Sequence, residues 1–211
     1  SLADAFAAPL VSDRPDGLWP TVVTDELGVA LGLVYSSAHS LRKAIEDRRG
    51  VYHSRSRGLW VKGETSGATQ ELLKVDADCD RDALRFTVRQ RGQGFCHRET
   101  RTCWGHDRGL GALERRLANR LEGAPEGSYT ARLASDPDLL AAKLSEEARE
   151  LGEAMARDEV VWEAADLLYV AATKIASRGI DVADVTAELD RRGLTVRRRD
   201  GSRTFGGGEE A

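Results

Sequence analysis

The sequence predicts a two-part chain, an α+β half followed by an all-α half, each long enough to bury its own core. Three observations carry this prediction. Six short stretches rich in β-branched and aromatic residues crowd the first part of the chain, the apolar period turns helical from Leu110 onward, and "EGAPEGS" between the two has linker composition. The expected bounds are 1–107 for the first domain, 108–127 for a linking helix and loop, and 128–200 for the second domain. Residues 201–211 are expected to form a mobile tail, because "RRRDGSRTFGGGEEA" has too few apolar residues to pack.

Taken in order, the strand candidates are "TVVTDE", "VALGLVYS", "GVYHSRS", "GLWVKG", "QELLKVD" and "ALRFTVRQ", with Gly-bearing turns between them. One helix interrupts the series. "SSAHSLRKAIEDRRG" opens on a serine N-cap, sets Leu41 and Ile45 four apart, and is expected to stop at Gly50. The second half offers "LGALERRLANRL", "DPDLLAAKLSEEARELGEAMA", "EVVWEAADLLYVAATKIASRG" and "DVADVTAELDRR", all with helical apolar spacing.

The 31 basic and 35 acidic residues leave a net charge of -4, so no global field favours nucleic acid or an anionic membrane, and neither is expected as a partner. No apolar run approaches the roughly 18 residues of a membrane span, and the first residues lack a secretory layout. A cytoplasmic protein is expected. Three cysteines, an odd number, argue against a disulfide framework and leave two readings, a metal site or small buried side chains.

Several clusters could carry chemistry. "DADCDRD" sets Asp76, Asp78, Asp80 and Asp82 at alternate positions. In an extended segment they would share one face and Cys79 would point to the other, so either a cation lies opposite or the stretch is a solvated edge. An EF-hand loop also begins D-x-D-x-D, but Ala83 and Arg89 stand where that loop needs Gly and Glu. Cys79, Cys96 and Cys103 fall within 25 residues, and the spacing in "CHRETRTC" is not that of a zinc-ribbon knuckle. Three thiolates with an open position suit a catalytic zinc, which in nucleobase deaminases activates water for attack on a ring carbon. His97 is a candidate general base, with a structural histidine as the alternative. "SRSRGLWVKGETSG" places Arg55, Arg57 and Lys62 beside Gly63 and Gly67, which suits phosphate binding as well as a solvated hairpin.

In the helical half, Glu146, Glu150 and Glu153 fall within about 60° of one another, with Glu147 on their flank and Leu140, Leu144, Leu151 and Met155 opposite. A solvated face is one reading, although only Lys143 and Arg149 lie near enough to offset the repulsion. The next helix decides between them. Glu163 and Asp166 sit one turn apart in otherwise apolar surroundings, where unpaired carboxylates are costly. The pattern E-E-x-x-E, twelve residues, E-x-x-D therefore reads as a Mg²⁺ cage for a polyphosphate, built from Glu146, Glu147, Glu150, Glu163 and Asp166.

These blocks resemble a known pair of enzymes. "SRSRGLWVKGETSG", "DADCDRDALRFTVRQRG" and "CHRETRTC" look like the signature blocks of phosphoribosyl-AMP cyclohydrolase, and "PEGSYTARL", "KLSEEARELGEA" and "WEAADLLY" are similar to phosphoribosyl-ATP pyrophosphohydrolase. The two occur fused in this order, and the matches cover most of residues 17 to 200. The resemblance implies histidine biosynthesis: cleavage of phosphoribosyl-ATP to phosphoribosyl-AMP and pyrophosphate, then opening of the adenine ring at its N1 to C6 bond. It also implies Zn²⁺ on Cys79, Cys96 and Cys103, with the first supplied by the other subunit of a homodimer, and Mg²⁺ on Asp78, Asp80 and Asp82. Arg55, Arg57, Trp60, Lys62, Gly63, Glu64, Ser66 and Gly67 become the expected substrate contacts. "GLVYSSAHSL" departs from the "AYMNxEAL" block of stand-alone cyclohydrolases, and His53 replaces a usual aromatic. Both features, with "TVRRRDG", look more like the version fused ahead of histidinol dehydrogenase. The competing readings are a chain with one active half, such as a nucleotide pyrophosphohydrolase, and a zinc-dependent dimerisation module.

Overall fold

A computed structural model describes residues 1–105, 107–123 and 127–194. The expected tail at 201–211 lies outside them. The order of elements is α1 (Leu2–Ala7), β1 (Trp19–Thr24), β2 (Ala30–Ser36), α2 (Ala38–Asp47), β3 (Val51–Ser54), β4 (Gly58–Val61), β5 (Gln70–Ala77) and β6 (Leu84–Gln90). The helices α3 (Gly109–Gly123), α4 (Tyr129–Ser135), α5 (Pro137–Glu153), α6 (Arg157–Ala176) and α7 (Val182–Leu194) follow. The first half is thus α+β and the second helical.

All six strand candidates form one sheet of order β4-β3-β2-β1-β6-β5, antiparallel except for the β1–β6 pair. The sheet curls until the stretch leading into β3 meets the edge strand β5. Arg49 bridges Glu71, Gly50 N–H donates to the Gln70 carbonyl, and Leu72 N–H donates to the Arg48 carbonyl. Inside the curl, Val23, Leu31, Tyr52, Phe86 and Val88 form a core that α2 caps with Leu41 and Ala44. Burying such side chains, at about 1.5–3 kcal/mol each, is what closes the sheet.

Ser37 caps α2 by accepting from Ser40 N–H, which bears out the serine start. The end differs from expectation. Arg48, not Gly50, takes the left-handed stop with φ 51°, while Gly50 is needed two residues on, where a Cβ would lie 2.1 Å from the Gln70 amide oxygen. The short helices α1 and α4 were not foreseen, because neither holds a full two turns of apolar period. Asp136 caps α5, accepting from Asp138 and Leu139 N–H ahead of Pro137 at the first turn.

Leu133, Leu140 and Val170 make a second core between α4, α5 and α6. Helix α3, expected as a connector, packs against α6, α4 and α7 and buries Leu117. Among the described residues no helix is long and apolar enough to cross a membrane.

Candidate functional site

Three groups of side chains stand out, two in the first half and one in the second. In the first half the loop after β6 carries Cys96, His97 and Cys103. It is fixed to the sheet at two points: Cys103 N–H donates to the Leu31 carbonyl at 2.8 Å, and the buried Phe95 ring lies where a side chain at position 32 would be. A Cβ on Gly32 would stand 2.0 Å from that ring, so only glycine lets the loop seat. Backbone bonds from Phe95 to Arg101 and from Cys96 to Thr100 close the loop on itself.

This closure brings the Cys96 and Cys103 thiols within interaction range. The Arg98 backbone N–H, aided by Thr100 and Cys103, holds the Cys96 thiol below its ordinary range. Burial, and then the charge of Cys96, pushes Cys103 up. One thiolate is therefore favoured before the other. His97 is exposed, with Nδ1 3.9 Å from the Cys96 sulfur.

Lys62 lies beneath the same loop, 6% exposed, with its ammonium donating to the Ala68 carbonyl at 3.1 Å and 5.6 Å from the Phe95 ring centre. Burial lowers its pKa, against the opposing pull of the two cysteines. The structure thus separates Lys62 and the buried Gly63 from Arg55, Arg57, Glu64, Ser66 and Gly67, which are exposed. Arg57 stacks on the half-buried Trp60, and Arg55 on Tyr35, whose ring Arg14 also covers. Arg14 and Tyr35 went unmarked in the sequence, since their meeting depends on how the segment before β1 folds back.

The aspartate run does not extend as a strand. β5 ends at Ala77, and residues 78–83 turn back into β6. Asp78 drives the turn by accepting from the N–H groups of Asp82 and Ala83, both at 3.1 Å, and Arg81 adopts a left-handed φ of 68°. Asp76 stays in the strand with Lys74 and Arg85 as partners, the cations expected opposite it. Alternation therefore does not align four carboxylates; the turn gathers Asp78, Asp80 and Asp82, whose oxygens lie within 4.8 Å of one another. Their mutual repulsion, Asp80 first, raises Asp82. Cys79 sits exposed in this turn, and among the described residues the three cysteines of one chain do not form a group of that size.

In the second half, α5 and α6 pack together and place Glu147, Glu163 and Asp166 within 4.8 Å of one another. Glu147 is buried, at 6% exposure. Desolvation, with Glu150 and Asp166 next, raises Glu163. Glu146 and Glu150 flank the trio and pair with cations: Lys143 reaches Glu146 at 2.9 Å and also Glu147 of the trio at 3.0 Å, and Arg149 reaches Glu150 at 3.1 Å. Nearby, Thr130 and Tyr169 share a 2.7 Å hydrogen bond that ties α4 to α6.

The donor types differ between the sites. Paired thiols suit a soft ion such as zinc, and clustered carboxylates suit a hard ion such as magnesium.

The family model of phosphoribosyl-AMP cyclohydrolase matches residues 32–105, and that of phosphoribosyl-ATP pyrophosphohydrolase matches residues 110–193. The chain is 51% identical over 201 residues to a histidine biosynthesis bifunctional protein of Schizosaccharomyces pombe, covering 95% of this chain and 48% of that protein. It is 52% identical over 192 residues to a histidine biosynthesis trifunctional protein of Saccharomyces cerevisiae, covering 90% of this chain and 24% of that one. Against a histidine biosynthesis bifunctional protein of Deinococcus radiodurans the identity is 39% over 196 residues, with 84% and 89% covered. The chain thus spans about half or less of the fungal relatives and most of the bacterial one.

Proposed function

Because the chain belongs to the histidine biosynthesis bifunctional proteins, which join a phosphoribosyl-AMP cyclohydrolase domain to a phosphoribosyl-ATP pyrophosphohydrolase domain, we propose that it is a bifunctional hydrolase with both activities. The helical half cleaves phosphoribosyl-ATP to phosphoribosyl-AMP and pyrophosphate. The α+β half then opens the adenine ring of that product at N1–C6. The observation that carries this reading is that each half has its own ligand set, facing thiols in one and the Glu147, Glu163 and Asp166 group in the other.

In the helical half, Glu147, Glu163 and Asp166 would hold Mg²⁺, with Glu146 and Glu150 at the margin. The ion supplies charge neutralisation of the triphosphate and of the departing pyrophosphate. The chain's part is to fix those carboxylates on two packed helices, so that little reorganisation is needed as charge develops. In the α+β half, Cys96 and Cys103 would hold zinc, which supplies activation of the attacking water. His97, with Nδ1 turned toward Cys96, has Nε2 left to take a proton from that water. Asp78, Asp80 and Asp82 would hold a second Mg²⁺. Arg55 and Arg57, which are exposed, would meet substrate phosphate, and Lys62 would act from beneath by holding the turn at Ala68.

Cys79 would complete the zinc site from a second copy of the chain, which makes the working unit a homodimer in the cytoplasm. What supports this is the exposure of Cys79 and its separation from the other two thiols.

Incubation of the protein with phosphoribosyl-ATP, zinc and Mg²⁺ tests the reading. Pyrophosphate should appear, followed by the ultraviolet spectrum of a ring-opened product. Pyrophosphate with an unaltered adenine spectrum would leave only the helical half active, and neither signal would reject the proposal.

A further inference from the structure

We infer that Lys143 is a positioning residue of the helical site, a built-in cation that orients Glu147 and opposes retention of a divalent ion by the carboxylates alone. The inference rests on the reading of Glu147, Glu163 and Asp166 as the metal-holding group.

Lys143 stands one turn before Glu146 and Glu147 on α5. A lysine on a helix normally extends its ammonium into water. Here the side chain is three-quarters covered, and Nζ lies between Glu146 Oε2 at 2.9 Å and Glu147 Oε1 at 3.0 Å. Glu147 is the more enclosed of the two glutamates that the lysine pairs with, its side chain 8% exposed against 46% for Glu146. On α6, by contrast, Glu163 and Asp166 have no cationic partner among the described residues.

Two consequences follow from this placement. With Oε1 engaged by the ammonium, the Glu147 carboxylate is oriented by the lysine. The ammonium also stands only one carboxylate away from any ion held by the trio. A like charge at a few ångström from a divalent cation weakens its binding by about tenfold or more, even at a water-like dielectric. A triphosphate brings negative charge that outweighs this repulsion. The ion is then held well only together with the nucleotide, and Lys143 links metal retention to substrate arrival.

The probe is Mn²⁺ alone, titrated into the full chain without nucleotide and followed by the spin-resonance signal of the free ion. All variants carry Asp80→Asn so that the other carboxylate group does not contribute. Lys143→Gln should bind Mn²⁺ at least about tenfold more tightly than the parent, Lys143→Arg should match the parent, and Glu147→Gln should bind more weakly. Equal, weaker or undetectable binding by Lys143→Gln, with unchanged helicity, overturns the role of the lysine. Binding indifferent to Glu147→Gln overturns the metal reading itself, so the two failures are told apart.

Discussion

At the scale of single residues, the candidate chemistry rests on a few side chains whose removal leaves the surrounding packing in place. Glu147→Gln and Asp166→Asn keep shape but remove charge from the carboxylate trio. We predict that each lowers pyrophosphate release by at least about a hundredfold, in the range typical for loss of one preorganised electrostatic group. Ring opening of phosphoribosyl-AMP supplied directly should persist, and its loss in a folded variant would count against separate sites. Cys103→Ser should lose zinc and ring opening together, because serine is a poor zinc ligand at neutral pH. Metal analysis of the purified variant, beside a chelated parent sample, checks this; full ring opening in a verified zinc-free protein would remove zinc from the mechanism. The identity of these residues was legible in the sequence because carboxylate and thiol chemistry belongs to the residue type. The placement of Lys62 was not, since a basic residue near glycines reads the same whether its ammonium faces water or, as here, the Ala68 carbonyl.

At the scale of elements, the cysteine loop depends on the bare surface that Gly32 leaves on β2. Gly32→Ala would set a methyl 2.0 Å from the Phe95 ring, so the ring and the loop behind it must move. The expected cost is about 1–3 kcal/mol of stability, as for other overpacked cores, with zinc content falling in parallel. Denaturant unfolding of metal-free protein, beside zinc analysis, measures both; a variant with parental stability and zinc would show that Phe95 does not fix the loop. The helix pair α5 and α6 is held by Leu140 against Val170 and Leu133. Leu140→Ala should cost about 2–5 kcal/mol and reduce pyrophosphate release, yet spare ring opening, because the two cores share no residue. Strands and long helices were readable from period alone. The turn at 78–83 was not, because four aspartates at alternate positions fit a strand equally well, and the bonds from Asp82 and Ala83 N–H to Asp78 decide otherwise.

At the scale of the whole molecule, the halves meet where Arg89 of β6, paired with Glu26 of its own half at 3.0 Å, reaches Asp181 at 3.9 Å, and where Gly111 of α3 sits against Leu27. Charge pairs of this partly exposed kind contribute little stability. The proposed sharing of zinc between two copies of the chain turns on Cys79, which is exposed and, among the described residues, is not grouped with Cys96 and Cys103. Mixing inactive Cys79→Ser with inactive Cys103→Ser protein, under conditions of subunit exchange, tests the shared site. In a mixed dimer one zinc site carries both lesions and the other carries none. Random pairing makes about half the dimers mixed, so ring opening should recover to about a quarter of the parent. No recovery despite proven exchange would leave Cys79 a ligand within its own subunit, or no ligand at all.

The sequence by itself determined the two halves, the six strands, the four longer helices and the residue types of each candidate group. Those features are local, carried by side-chain period and chemical identity over a few turns or one strand. Only the tertiary structure decided which candidates meet. It curled the sheet until Arg49 found Glu71, folded the aspartates into a turn, and put Lys62 under the cysteine loop. It also drew Glu147, Glu163 and Asp166 into one group while leaving Glu146 and Glu150 to lysine and arginine. Such outcomes depend on contacts between residues far apart in the chain, whose geometry is set by how the cores pack.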